Sequence, residues 1–337
     1  MKNFGKKTLV LVLVLVLAIS VVALAACSKK NTPADESTTK DNIPNLEIVF
    51  EQDDNLKNTY TMIGVKGSAL ATPVVLNEVG ADSFIKWMSL AATRTNYIQT
   101  YGVENYKEAL FYLLDSAPLY NGTAADLAYT TTKSASNEIK ISTTTSVNDT
   151  GLLQYLAGKF QEETGWKLLI TSAGTGKAIQ NAKDGNADML LVHAKAQEEA
   201  FVDLGYARVV DGFTSERISF MYNYFVLVGP KTDPAGVKSK ASIVEGFQAI
   251  KNTQSKFVSR GDNSGTHTKE IALWKLAGEN DIGWDTATST AVYPQTYTWY
   301  TAAAAGMTAS LAVANETNAY ILSDKGTYLA NKNAPKE

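Results

Sequence analysis

Residues 259–267 (SRGDNSGTH) bring an Arg, two Gly, hydroxyl side chains and a His into one short loop. Three chemistries compete for such a loop: an adhesion tripeptide at Arg260-Gly261-Asp262, a hydrolase pair of Ser264 with His267, and a cradle for a small anion. The cradle uses the most residues. Arg260 carries a planar fork of donors matched to oxyanions. Gly261 and Gly265 let backbone N–H groups face inward, and Ser264 and Thr266 add hydroxyls just before a helix expected to begin near Thr266. Hydrolysis would need a base aimed at the nucleophile, and no G-x-S-x-G elbow supports Ser264 in that role. The tripeptide occurs often by chance.

Two other segments carry the same chemistry. Residues 142–146 (STTTS) end an expected strand shortly before a helix start at 148–153 (NDTGLL). The hydroxyls of Thr144, Thr145 and Ser146 can donate, and a helix start offers unpaired N–H groups and a positive dipole end. An N-cap and turn is the alternative there. Residues 172–178 (SAGTGKA) resemble a phosphate-binding P-loop but fail its pattern twice, with Thr171 in place of the first Gly and Ala178 in place of the metal-binding hydroxyl. A glycine-rich turn remains, with Gly174 allowing close approach and Thr175 a donor, or simply a tight strand-to-helix connection. His193 follows the apolar run 189–192 (MLLV), at the strand end where open α/β sheets bind ligands. It is read as an orienting group, with a hydrogen-bonded core histidine as the alternative. Two His and one Cys in the whole chain leave no basis for a metal site or a cofactor.

The elements that must position these loops alternate between strand and helix. Strands are expected over 46–50, 61–65, 138–143, 167–171, 189–192, 224–228 and 256–259. Helices are expected over 83–92, 151–164, 176–184, 196–204, 242–252, 266–277, 299–305 and 307–316. This order implies α/β layers on mainly parallel sheets. Residues 123–136 (TAADLAYTTTKSAS) are poor in large apolar residues and read as an internal linker or a surface loop.

The chain is long enough, at 337 residues, for two domains, and its net charge of −3 gives no field that would favour nucleic acid. At the N-terminus, Lys2, Lys6 and Lys7 precede an apolar run over 9–24 and then Ala25-Ala26-Cys27. This reads as a signal peptide over 1–26 rather than an uncleaved membrane anchor. Leu24-Ala25-Ala26-Cys27 resembles a bacterial lipobox, which implies lipidation of Cys27, the sole Cys, and an address on the extracytoplasmic face of the cell membrane. The polar stretch that follows makes residues 27–42 a flexible tether, with the folded body starting near Ile43.

Taken together, the motifs match one family. TTTS (143–146) with NDTGLL, SAGTGKAI (172–179), ADMLLVHA (187–194), MYNYFVLVGPKTDPAG (221–236), SRGDNSGTH and Leu273-Trp274-Lys275 resemble the tungstate-binding component of ABC transporters. The resemblance implies a class II periplasmic-binding-protein fold, that is, two α/β lobes joined by a two-crossing hinge, and a binding protein rather than an enzyme. It implies tungstate as ligand, with molybdate or another small oxyanion as the alternative, and ABC permease subunits as partners. Thr144, Thr145, Ser146, Gly174 and Thr175 would bind from one lobe, and Arg260, Ser264, Gly265 and Thr266 from the other.

One departure from the family is large. The segments NLEIVFEQDDNLKNTYTMIGV (45–65) and 82–114, with FIKW (84–87) and YGVE (101–104), resemble the family's usual C-terminal portion, yet here they come first. A circular permutation accounts for this, since surface termini that lie close together tolerate being joined. Lobe one would be 60–229, with the 123–136 linker as the join, and lobe two 43–59 plus 230–337. The hinge crossings would fall at 58–60 and 229–231. The alternatives are a separate module fused to a truncated binding protein, or a sensing lipoprotein without a permease.

Overall fold

A computed structural model of the protein describes residues 39–70 and 74–335. The signal peptide, Cys27 and most of the tether lie outside the described residues. The strands are β1 (Thr39–Lys40), β2 (Leu46–Phe50), β3 (Lys57–Val65), β4 (Tyr112–Leu113), β5 (Glu138–Thr144), β6 (Lys167–Ala173), β7 (Met189–Val192), β8 (Ala207–Arg208), β9 (Ile218–Pro230), β10 (Phe257–Ser259), β11 (Gly283–Asp285), β12 (Thr290–Val292), β13 (Tyr300–Ala302), β14 (Ile321–Asp324) and β15 (Ala334–Pro335). The α-helices of five or more residues are α1 (Glu78–Met88), α2 (Thr145–Asp149), α3 (Leu152–Thr164), α4 (Thr175–Lys183), α5 (Lys195–Asp203), α6 (Ile243–Thr253), α7 (Gly265–Leu276), α8 (Met307–Thr317) and α9 (Lys325–Lys332).

The helices form where a cap meets an apolar stripe. In α6 the Ser242 hydroxyl accepts from Glu245 N, while Ile243, Gly246, Phe247 and Ile250 fall on one buried face and Gln254, in the left-handed region, ends the helix. Each large side chain buried there is worth about 1.5–3 kcal/mol, against about 1 kcal/mol for the cap. Packing therefore holds the helix, and the cap sets where it starts. In α1 the Asn77 side chain accepts from Gly80 N. This start lies before the expected one at Ser83, and the helix stops at Met88 rather than 92.

Among the described residues, nine strands form one sheet in the order β14-β9-β3-β7-β5-β6, with β2 and β4 also on β9 and β8 on β3. Within it β5 pairs β6 and β7 in parallel, whereas β3 and β9 pair antiparallel with each other and with their other neighbours. The expectation of mainly parallel sheets is thus corrected. An apolar run buried on both faces looks the same in either direction, so strand polarity was not readable locally.

Side chains collect into two regions. Trp87, Phe84, Phe160 and Trp166 centre the first, with a second layer around Ile63, Ala178 and Leu190. Phe247, Phe257, Trp274 and Tyr320 centre the other, with a layer around Leu46, Val226 and Leu311. β9 belongs to both: Ile218, Phe220 and Met221 pack into the first region, and residues 225–228 into the second. Along β9 the packing therefore passes from one region to the other at 222–224. Near the start of β3 it passes between Leu56 and Tyr60.

The run 299–305, expected as a helix, is instead β13 followed by a turn in which Ala304 has φ +50°. Tyr300 pairs with Phe257 in a parallel register, and their rings stack at 5.8 Å. Residues 123–136 are a packed connection: Leu127 is buried and its carbonyl accepts from Trp166 Nε1 at 2.9 Å, and the Tyr129 ring stands edge-on to Trp166.

Candidate anion site

Three segments leave one end of the sheet together. β5 and β6 are in register through Thr144↔Ala173, and Thr143 of β5 faces Leu191 of β7, so the residues following all three strands emerge side by side. The Thr143 hydroxyl donates to the Leu191 carbonyl at 2.7 Å and pins β5 to β7 there. Beyond the strands come Thr144 and Thr145 at the start of α2, Gly174 and Thr175 at the start of α4, and His193.

The opposing loop follows β10. Ser264 is the N-cap of α7, its hydroxyl accepting from His267 N at 3.2 Å. Gly261 has φ +59°, and a Cβ there would stand 2.8 Å from Ala302 Cβ, so this turn needs glycine twice over. Arg260 is 2% exposed. Its Nη2 donates to Asp262 Oδ2 at 2.6 Å, and both Nη atoms lie 3.5 Å from Thr145 Oγ1. Asp262 Oδ1 also accepts from Ser264 N at 3.1 Å.

The two sides touch. A Cβ built on Gly174 would lie 3.6 Å from Ser264 Cα, and one on Gly176 3.1 Å from Asn263 Nδ2. Gly265, the first residue of α7, faces the His193 ring. Five buried polar atoms here have no protein partner: Ser142 Oγ, Thr175 Oγ1, Arg260 Nε, Thr266 Oγ1 and His267 Nε2. Leaving one such group unpaired costs about 1–3 kcal/mol, which a ligand accepting from it would offset. All five can donate, which suits an anion.

The histidines are neutral. Burial, with the positive charges of Arg260 and Lys269, lowers His193 to about 3, and its Nδ1 lies 2.7 Å from Asn58 Oδ1. Burial lowers His267 to about 4. His267 Nδ1 accepts from Asn263 N at 3.0 Å, so the ring proton sits on Nε2. That bond occupies the basic nitrogen, and the Ser264 hydroxyl serves the helix start instead. The hydrolase pair is not formed. A cleft of about 490 Å³ adjoins the site at His193 and Gly265, with Lys57, Lys195, Arg217 and Lys269 among its walls.

Of the residues expected at the site, Thr144, Thr145, Gly174, Thr175, His193, Arg260, Ser264, Gly265 and Thr266 lie in these converging segments. The Ser146 side chain lies outside the described residues. The Ser264 N–H donates to Asp262 Oδ1, and its hydroxyl accepts from His267 N. Three residues were missed. Asp262 was weighed only within the tripeptide. Asn58 and Asn223 face each other across β3 and β9, with Asn58 Nδ2 donating to Asn223 Oδ1 at 2.8 Å. An amide inside each of two apolar strands, NTYTMIGV and MYNYFVLV, was the available signal.

Residues 128–337 match the model of the PBP superfamily domain. "Tungstate-binding protein TupA" of Peptoclostridium acidaminophilum is 43% identical over 200 residues, 59% of this chain and 63% of that protein. "Putative ABC transporter anion-binding protein" of Haloferax volcanii is 38% identical over 198 residues, 59% of this chain and 52% of that protein. The chain thus spans less than two thirds of these relatives. Among solved structures, "the tungstate ABC transporter from Geobacter sulfurreducens" is similar at 39% identity over 59% of this chain and 77% of that one, with a TM-score of 0.48.

Proposed function

The chain belongs to the PBP superfamily, and from that premise we propose that it is the substrate-binding protein of an ABC transporter, capturing tungstate between its two halves. The observation that carries this reading is the approach of Arg260 to Thr145 across the site, with buried, unpartnered donors at Arg260 Nε and Thr175 Oγ1 in the facing segments. Relatives near 40% identity carry tungstate-binding and anion-binding names.

The donor set favours an ion that keeps no proton at neutral pH. Hydroxyls, the N-termini of α4 and α7, and one Arg all donate. The Asp262 carboxylate, the nearby acceptor, already receives from Arg260 and Ser264 N. A dianion held here replaces its hydration with donors already in place, which offsets a desolvation penalty that would otherwise be prohibitive. Molybdate has the same charge and shape and is the alternative ligand. Calorimetric titration with tungstate, molybdate and sulfate, on wild type and Arg260→Ala, tests both points. Tight binding of tungstate that Arg260→Ala weakens strongly is the expected result; binding of no oxyanion would overturn the reading.

In this reading lobe one is 60–222 and lobe two is 43–59 plus 224–337, with β3 and β9 as the hinge and closure as the signal to a permease. A circular permutation is supported by the place of the N-terminal segments in the sheet. β3 lies between β9 and β7, and β1 pairs with β15 near the other end of the chain. A separately folded module fused to a truncated protein would not supply an inner strand. Anchoring through a lipid on Cys27 holds the protein at the extracytoplasmic membrane face; fatty-acid labelling that disappears in Cys27→Ser tests it.

A further inference from the structure

Asn58 and Asn223 place two side-chain amides within inner strands of the sheet. They are direct partners in the β3–β9 ladder, they are 2% and 1% exposed, and they lie where both strands pass from one buried region to the other. A buried amide is costly there unless it is hydrogen-bonded. Both ends of the Asn58 amide are used. Its Nδ2 donates to Asn223 Oδ1 at 2.8 Å and to Tyr60 OH at 3.2 Å, and its Oδ1 lies 2.7 Å from His193 Nδ1. An amide oxygen can only accept, so the His193 proton sits on Nδ1.

His193 stands between the two halves. Its ring centre is 5.0 Å from that of Tyr60, in the first region, and 6.2 Å from that of Phe225, in the second. Gly265, at the start of α7, faces the same ring with no room for a Cβ. Packing alone leaves the imidazole able to turn over, because the ring torsion of a His is broad and roughly twofold. The bond to Asn58 removes that freedom.

We propose that Asn58 is a positioning residue for the bound anion and acts through His193: anchored on Asn223 and Tyr60, it fixes the orientation and tautomer of the ring against which the start of α7, with Gly265 and Thr266, closes. The proposal rests on the anion-site reading above.

Selective 15N labelling of histidine in the full chain reads this arrangement without ligand, since the chain holds only His193 and His267. The two rings should be opposite tautomers: the proton on Nδ1 in His193, and on Nε2 in His267, whose Nδ1 accepts from Asn263 N. The signals lost in His193→Ala assign the pair. In Asn58→Ala, and in Asn58→Leu, which keeps the space filled, the His193 signals should move toward a mixture of tautomers while those of His267 stay. A wild-type His193 ring protonated on Nε2, or a His193 tautomer unchanged in both variants, overturns the proposal.

Calorimetric titration with sodium tungstate reads the effect on binding. Asn58→Ala should bind about tenfold more weakly than wild type, and Asn223→Ala, which leaves the bond to His193 in place, about threefold. In a His193→Ala background the loss from Asn58→Ala should shrink to about twofold or less, because the residue it acts through is gone. An equal loss in both backgrounds would mean that Asn58 serves only to join the strands, and overturns the proposal. If wild type binds no tungstate, the functional reading fails, and the ring signals still decide whether Asn58 holds His193.

Discussion

Gly265 stands so close to His193 that a Cβ on it would lie 2.7 Å from the ring Nδ1 and 2.8 Å from Nε2. These two residues belong to opposite sides of the site, one opening α7 and the other following β7. The contact therefore sets how closely the two sides approach. Gly265→Ala should weaken tungstate binding about tenfold, the scale of an overpacked contact. Adding His193→Ala should recover part of that loss, and a double-mutant cycle by calorimetry measures the coupling. Additive losses would show that the contact does not limit approach.

Thr175 and Ser264 both offer a hydroxyl, yet they should respond differently to its removal. The Thr175 hydroxyl is buried without a protein partner. Thr175→Val should leave the unliganded protein as stable as wild type, or more so, and reduce affinity about tenfold. The Ser264 hydroxyl caps α7, so Ser264→Ala should cost about 1 kcal/mol of stability in the absence of ligand. Urea unfolding without ligand, set beside calorimetry with it, separates the two effects.

Arg260 engages Asp262 with one end of a planar fork whose two Nη atoms also lie near Thr145. A lysine presents one point charge and cannot hold both directions at once. Arg260→Lys should bind at least about tenfold more weakly than wild type, with retained charge giving only partial rescue relative to Arg260→Ala. Equal affinity of Arg260→Lys and wild type would mean that charge alone matters at this position.

Stability should vary with pH through three buried groups. His193 and His267 are lowered to about 3 and about 4. Their contribution is complete above the unfolded value near 6.5. It declines as pH falls toward the folded values, because the unfolded chain takes up protons that the folded chain refuses, by about 1.4 kcal/mol per pH unit for each His. Glu270, raised to about 8, works in the opposite direction. Stability falls as pH rises from about 4.5 toward 8, where the unfolded chain has already released its proton. Urea midpoints should therefore drop from pH 6.5 to 4.5 less steeply in His193→Gln than in wild type. At pH 8 Glu270→Gln should be the more stable protein.

Local patterns revealed most of the elements but not their connections. The runs 46–50 and 189–192 were legible as strands because they are short and mostly apolar, with β-branched Ile48, Val49 and Val192 among them. The starts of α4 and α7 were legible to within a residue through Gly174, Ser264 and their neighbours. Residues 299–305 were misread because four consecutive Ala suggest a helix, whereas the pairing of Tyr300 with Phe257 is visible only in three dimensions. The same limit hid the site's supports. Asn58 gains meaning from Asn223 and His193, far away in sequence, and Glu270 from Tyr300. Arg260 and Thr175 were found because their chemistry is local to their loops.

The 13-residue strand β9 places residues in both buried regions without a break. Neither region can melt alone without stripping an inner strand from its neighbour. Folding should accordingly be all-or-none, with one calorimetric transition and no half-folded species to expose sticky strand edges on the way. For a chain whose segments come in an unfamiliar order, that shared strand lets early and late portions reach the native state as a single cooperative event.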